Sequence, residues 1–328
     1  VDPLDEQAMG EAIWALLQDG EAWEARAACG VRGAREHFTW ESHADRYLRE
    51  MQGIRRGARP GRELFEGRHS RLPTVNRIVV TDVDNTLTGD AEASQALAQR
   101  LQEADDGVGF ALATGRAPES ALAEMEQLGL PVPDILITCV GTEIYYGRHL
   151  TPDRSWQHHI DYLWRPDAVR AVLGRIDGLY PQKPEQQRPF KISYDIDLKK
   201  APPLRALRRG LRAEGLRVNL ILSHQCYLDL LPIRASTGLA IRYLCFKWGL
   251  PPDRLLVAGD SGNDEEMLTG NTLGVVVGNY SPELEPLRGR PRIYFAEGHH
   301  AWGILEGINH YGFFGDIHVP GEEEGTNA

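Results

Sequence analysis

Apolar and polar positions change rhythm three times along this chain. Over residues 1–51 the apolar residues recur at helical spacing, in "DEQAMGEAIWALLQD", "GEAWEARAACGVRGAREHF" and "TWESHADRYLREM", which predicts two or three helices. That stretch carries too little apolar surface to build a core by itself. Residues 52–76 are rich in Gly, Arg and Pro without periodicity and read as a linker. From Arg77 short, nearly continuous apolar runs ("RIVVTD", "GVGFALAT", "DILITCVG", and later "RLLVAGD" and "TLGVVVG") alternate with amphipathic ones such as "EASQALAQRLQEA" and "GLAIRYLCFKWG". Runs of that kind predict a parallel sheet covered by helices on both faces. Between them, residues 150–231 alternate more strictly or end in polar residues, as in "FKISYDID" and "RVNLILS". This predicts a small α+β unit with one wet face, inserted as a cap. The expected organisation is an α/β core of residues 77–149 and 232–328, the cap between them, and the helices in front.

Composition narrows the function classes. A chain of 328 residues has room for two domains or one with a large insertion. Its 42% apolar and 25% charged content suits a globular protein, and a net charge of −11 argues against nucleic acid or an anionic membrane surface as partner. No apolar run has the length of a membrane span and nothing resembles a signal peptide, so a cytoplasmic protein is expected. Cys29, Cys139, Cys226 and Cys245 match no metal-site spacing, and three of the four lie in apolar surroundings that predict buried free thiols.

The chemistry concentrates where apolar strands end. "RIVVTDVDNTLTGD" places Asp82 and Asp84 two residues apart, a costly juxtaposition unless a cation or a substrate group answers it. A turn after a strand accounts for one Asp and poorly for two. "VAGDSGNDEEML" repeats the pattern with Asp260 and Asp264 four apart. Oxygen ligands from two strand ends suit a small hard cation, and magnesium fits a site that keeps waters for a phosphate to replace. Thr114, ending "ALAT", offers a hydroxyl to a phosphate oxygen, with Gly115 and Arg116 behind it. Thr142 and Glu143 follow "DILITCVG" and face the cap. On the cap, Lys191, Tyr194, Asp195, His224 and Gln225 are polar candidates for a sugar. Trp156, Tyr180 and Trp164 are aromatic ones, with Trp164 read as cap core. His158 and His159 lack a third ligand and read as surface residues.

Together and in this order, "DVDNTLT", "LATGR" and "GDSGND" resemble the haloacid dehalogenase superfamily of phosphatases. That resemblance implies a Rossmann-like core with Asp82 as nucleophile and Asp84 as general acid and base. It also implies that Thr86, Thr114, Gly115, Arg116 and Asn263 surround the phosphate, and that Asp82, Asp84, Asp260 and Asp264 hold Mg2+. "CVGTEIYYG", "YLDLLPIRAS" and "VAGDSGNDEEML" are similar to the sucrose-phosphatase group and to the phosphatase-like C-terminal domain of bacterial sucrose-phosphate synthases. The N-terminal stretch resembles the last helices of the synthase's glycosyltransferase domain. The implied function is hydrolysis of sucrose 6-phosphate through a phosphoaspartate. A phosphatase acting on another sugar phosphate and a weakly active regulatory or scaffolding domain of a synthase remain as alternatives. One position departs from the pattern. The superfamily places a lysine where Thr237 stands, and Lys247, ten residues along the helix and about 15 Å away, cannot replace it. Arg116, Arg234 and the cap arginines are the available stand-ins.

Overall fold

In the computed structural model, residues 6–37, 39–40, 44, 75–147, 149–223 and 225–320 are described. Most of the third N-terminal helix, the linker up to residue 74 and His224 lie outside them. The chain divides into two units, Val1–Arg68 and His69–Ala328. In the first, α1 (Glu6–Gln18) and α2 (Gly20–His37) are joined at Asp19, whose carboxylate accepts a hydrogen bond from the Ala22 amide at 3.0 Å and so caps α2.

The second unit begins with β1 (Arg77–Thr81), α3 (Ala91–Gln102), β2 (Val108–Ala113), α4 (Pro118–Gln127), β3 (Ile135–Thr138), β4 (Glu143–Tyr146) and β5 (Thr151–Pro152). After α5 (Arg154–Ile160) and α6 (Pro166–Leu173) come β6 (Leu179–Pro181), β7 (Ile192–Ile196), α7 (Leu204–Ala213), β8 (Val218–Ser223) and β9 (Tyr227–Pro232). The chain then returns through α8 (Thr237–Trp248), β10 (Leu255–Gly259), α9 (Glu265–Leu268), β11 (Leu273–Val276), β12 (Ile293–Phe295) and α10 (Ala301–His310). The main sheet has eight strands in the order β12-β11-β10-β1-β2-β3-β4-β5. Pairing is parallel from β12 to β3 and antiparallel for β4 and β5.

Alternation along β1 sorts its side chains into two layers. Ile78 and Val80 pack with Ile241 and Leu244 of α8, while Val79 packs with Leu97 of α3 and Ile304 of α10. Both faces are covered, which is why the central strands read as unbroken apolar runs. Strand order reverses at β1, with β2 on one side and β10 on the other, and the carboxyl ends of these strands form the crevice where open α/β sheets bind ligands.

The insertion carries a second, antiparallel sheet, β6-β7-β9-β8. Val169 and Leu173 of α6 and Leu207 and Leu211 of α7 cover one face of it. The insertion is smaller than its expected bounds. Thr151–Pro152 pairs with β4 in the main sheet, and Trp156 and Ile160 lie in the main core. At the other boundary Val75, placed in the linker by its sequence, is buried against β1 and β2. The cysteines also differ from expectation. Cys139 is buried and Cys245 half-buried, whereas Cys29 and Cys226 are exposed. Cys226 lies in the β8–β9 turn, where apolar neighbours in sequence do not become neighbours in space.

Candidate active site

Asp82 leaves β1 with its amide still tied to the sheet, donating to the Ala258 carbonyl at 2.9 Å. This fixes its carboxylate beside those of Asp260 and Asp264, which follow the neighbouring strand β10. Ligand oxygens of the three lie within 4.8 Å of one another, and all three side chains are buried. Backbone and side-chain donors hold the second pair in place. Asp264 Oδ2 accepts from the amides of Asp260 at 3.1 Å and Ser261 at 3.2 Å, and Thr86 Oγ1 donates to Asp260 Oδ1 at 3.1 Å. The approach depends on Gly259, where a Cβ would lie 2.5 Å from that of Asp264.

Burial, reinforced by Asp264 and Asp260, pushes the Asp82 carboxyl well above the usual carboxylate range. Burial and then Asp260 likewise raise Asp264. Two buried acids that resist ionisation, Asp82 and Asp264, with the buried Asp260 beside them, form a donor set suited to a hard divalent cation.

Asp84 stands apart from this cluster. Arg116 grips it with two groups, Nε 2.9 Å from Oδ2 and Nη2 2.5 Å from Oδ1, and donates from Nη1 to Glu124 of α4 at 2.6 Å. The carboxylate expected among the metal ligands is therefore engaged elsewhere by its side chain, within the lining of the same cavity.

Thr114 is buried at the end of β2. Its amide donates to the Ile137 carbonyl at 2.9 Å and its Oγ1 accepts from the Arg116 amide at 3.2 Å. Beside it, Cys139, Val140 and Gly141 hold positive φ of 53°, 59° and 85°. For the β-branched Val140 this is strained backbone. Gly141 permits it, since a Cβ there would lie 2.2 Å from the Ser236 carbonyl carbon. The strained turn presents Val140 to the cavity.

That cavity measures about 530 Å³ and lies between the acidic strand ends and the inserted sheet. Asp82, Asp84, Asp260, Gly115 and Arg116 form its floor, and Asn263 its edge. Lys191, Asp195 and Asp229 form the roof with Gln182, Ser223 and Tyr227. Lys191 is 6% exposed, its Nζ 3.5 Å from the Gly115 carbonyl and 3.7 Å from Asp229 Oδ1. Asp229 also accepts from Ser193 Oγ at 2.5 Å.

Several expected ligands are placed away from this space. Thr142 Oγ1 donates to its own turn, to the Cys139 carbonyl at 3.0 Å. Glu143 is consumed by Arg188, at 2.9 Å and 3.1 Å, and by the Tyr145 hydroxyl at 2.8 Å, so it joins the sheet to the insertion. Tyr194 is in the cap core with Trp164, and Trp156 is in the main core, donating to the Gly141 carbonyl at 3.0 Å. Thr86 braces Asp260 from within the protein, and Gln225 sits exposed in a turn with φ 55°. Thr237 opens α8 behind Ser236, whose Oγ caps the helix. It lines a separate cavity of about 360 Å³ against β8, beside Glu265 and Glu266. Asp229, Gln182 and Ser261 are not among the expected residues, and Arg188, one of the cap arginines expected as stand-ins, pairs with Glu143 instead. A charge inside the apolar run "YLDLLP" was the one signal that could have found Asp229.

Comparison with known proteins gives this arrangement a lineage. The sucrose-6F-phosphate phosphohydrolase family matches residues 75–312. The sucrose-phosphatase of Synechocystis sp. PCC6803, solved with sucrose and phosphate, is 36% identical with a TM-score of 0.68, over 72% of this chain and 98% of that one. A mannosylfructose-phosphate phosphatase of Agrobacterium fabrum is 30% identical over 72% of this chain and 97% of its own. A probable sucrose-phosphate synthase of Oryza sativa subsp. japonica is 28% identical over 82% of this chain but 31% of its own length. The chain likewise spans only 49% to 61% of the plant sucrose-phosphatases it matches. From the approach to β1 through the end of α10, then, the chain belongs to the sucrose-6F-phosphate phosphohydrolase family and has the haloacid dehalogenase fold.

Proposed function

We propose that the chain is a magnesium-dependent phosphatase of a sugar phosphate, with sucrose 6-phosphate as the favoured substrate. The observation that carries this reading is the buried Asp82 carboxylate, held beside Asp260 and Asp264 at the floor of a polar cavity. Asp82, Asp260 and Asp264 would hold Mg2+, which supplies Lewis-acid neutralisation of phosphate charge.

An oxygen of Asp82 attacks phosphorus, and the bond from phosphorus to the sugar oxygen breaks as Asp84 gives that oxygen a proton. Asp84 then takes a proton from water, the water oxygen attacks phosphorus, and the bond to Asp82 breaks to release phosphate. Arg116 orients Asp84 for both transfers through its two-point grip. Thr114 and the turn at Gly115 border the phosphate. The roof excludes water, and Gln182, Asp195 and Tyr227 meet the sugar hydroxyls.

Phosphate release with Mg2+ tests this on sucrose 6-phosphate, mannosylfructose phosphate, fructose 6-phosphate and p-nitrophenyl phosphate. Sucrose 6-phosphate is expected to give the highest kcat/KM, and a folded protein that releases phosphate from none of them overturns the reading. Mannosylfructose phosphate leading the series would place the substrate with the Agrobacterium relative. A second reading, a non-catalytic phosphatase-like domain of a synthase, is favoured by the uncharged Thr237 and by the synthase match over 82% of the chain. Activity lost in Asp82→Asn eliminates it.

A further inference from the structure

Phosphoryl transfer at Asp82 brings a phosphate dianion against three clustered carboxylates, those of Asp82, Asp260 and Asp264. One divalent cation leaves that assembly strongly negative, and electrostatic stabilisation of the transferring group is the main catalytic term in such reactions. The cationic side chains among the described residues differ sharply in their freedom to help. Arg116 is spent on Asp84 and Glu124, and Arg188 on Glu143. Lys247 is bound to Asp153 at 2.6 Å, and Arg234 stacks over Tyr162, 3.8 Å from its centroid. Lys183 lines the cavity but is exposed.

Lys191 combines burial with a place in the cavity. Its ammonium carries three donors, yet its nearest protein acceptors are at 3.5 Å and 3.7 Å, both beyond the usual range of a strong charge-assisted bond. A buried ammonium with no short partner is costly unless an anion completes it. It also lies over the turn that follows Thr114, and its two neighbours, Gly115 and Asp229, both line the space above Asp82. We propose that Lys191, reaching down from the inserted unit, is the catalytic cation that meets the transferring phosphoryl group, supplying the charge that Thr237 does not.

The inference rests on the phosphatase reading and deepens it. During transfer the ammonium keeps its protons and donates hydrogen bonds to a non-bridging phosphate oxygen, while the bond from Asp82 to phosphorus forms and the bond to the sugar oxygen breaks. Because this charge is carried by the insertion, the floor alone lacks it. Transfer is then conditional on the roof being in place over a bound substrate, which also excludes water.

The test uses the full chain with Mg2+ and two probes: orthovanadate, which carries the phosphoryl geometry without a sugar, and sucrose, which carries the sugar without a charge. Binding is measured by calorimetry. Lys191→Met is expected to weaken vanadate about 100-fold or more, by analogy with the loss of one oxyanion donor, and to change sucrose affinity by less than about threefold, the scale of a residue that makes no direct contact. Asp229→Asn, which frees the ammonium from its neighbour, is expected to tighten vanadate, whereas a merely structural role for the Lys191–Asp229 pair weakens binding in both variants. Sucrose weakened and vanadate unchanged in Lys191→Met overturns the inference, as does a wild-type chain that does not bind vanadate. If vanadate binds in a Lys191-dependent way but no ester is hydrolysed, the inference stands and the phosphatase reading fails.

Discussion

The carboxyl edge of the main sheet gathers three buried carboxylates within 4.8 Å, with Asp264 and Asp260 oriented by neighbouring backbone and hydroxyl donors. The inserted sheet faces them across a cavity of about 530 Å³ with Lys191, Gln182, Asp195 and Tyr227, of which only Lys191 is buried. One region concentrates like charge where water is scarce, and the other offers mixed polar groups that mostly remain wet. The floor is therefore costly without a cation and chemically committed, whereas the roof can change residues without disturbing the core. On the proposed phosphatase reading, the first region supplies the nucleophile and metal ligands, and the second supplies substrate contacts and the Lys191 charge.

The sharpest way to break this contrast is to remove the nucleophile. Asp82→Asn is expected to lower phosphate release by about 10⁴ or more, since residues acting as one catalytic unit lose most of the rate together. The same substitution is expected to raise the melting temperature of the metal-free protein, because a buried acid whose ionisation is disfavoured becomes a neutral amide. Turnover retained within tenfold of wild type would remove Asp82 from the chemistry.

Next in size is the brace behind the floor. Thr86 touches Asp260 from the protein side, so Thr86→Val is expected to weaken Mg2+ about 10- to 100-fold, the range for groups that orient a ligand. Thr86→Ser keeps the hydroxyl and should hold affinity within a few-fold, as read by calorimetric titration. Equal losses in both variants would assign the effect to packing.

The floor was legible in the sequence because each of its acids directly follows an apolar strand, and strand ends must converge in a parallel sheet. Asp82, Asp260, Asp264 and Thr114 could be found that way. What the pattern could not fix is which way a side chain turns once the strand has ended. Thr86 and Thr142 turn inward to hydrogen-bond their surroundings, and Asp84 turns to Arg116. On the roof, Tyr194 and Lys191 lie three apart on one chain segment, yet one enters the cap core and the other the cavity. The insertion starts later than the sequence pattern predicts because apolar residues in "SWQHHIDYLW" fit a core of either sheet. Contact with β4 decided it, and sequence periodicity carries no such information.

A smaller effect is expected where floor and roof are joined. Glu143 is 6% exposed and accepts both Arg188 bonds, so Arg188→Ala loosens the seating of the insertion. The expected result is a KM for the sugar phosphate raised about tenfold, about 1.4 kcal/mol of uniform binding, with kcat nearly unchanged. A fall in kcat with KM constant would move Arg188 from the roof's support into the chemistry itself.

The finest discrimination comes from pH. In the metal-free fold burial raises the Asp82 and Asp264 carboxyls above their unfolded values. Their contribution to stability is accordingly complete below the ordinary carboxylate range, near pH 4, and is lost as pH rises through the raised values. Mg2+ reverses that loss, because it binds the ionised form and competes with protons for the same oxygens. Stabilisation by a fixed Mg2+ concentration should therefore be small at pH 5, grow with pH, and level off once both acids ionise without help. At a concentration about 100 times the dissociation constant the plateau is about 2.7 kcal/mol, or roughly 5–10 °C in melting temperature for a unit of this size. Roof residues do not share these oxygens, so Lys191→Met should leave the shape of the curve intact while Thr86→Val lowers its plateau. A Mg2+ effect that is flat from pH 5 to 8 would show that the three buried acids are not where the cation binds.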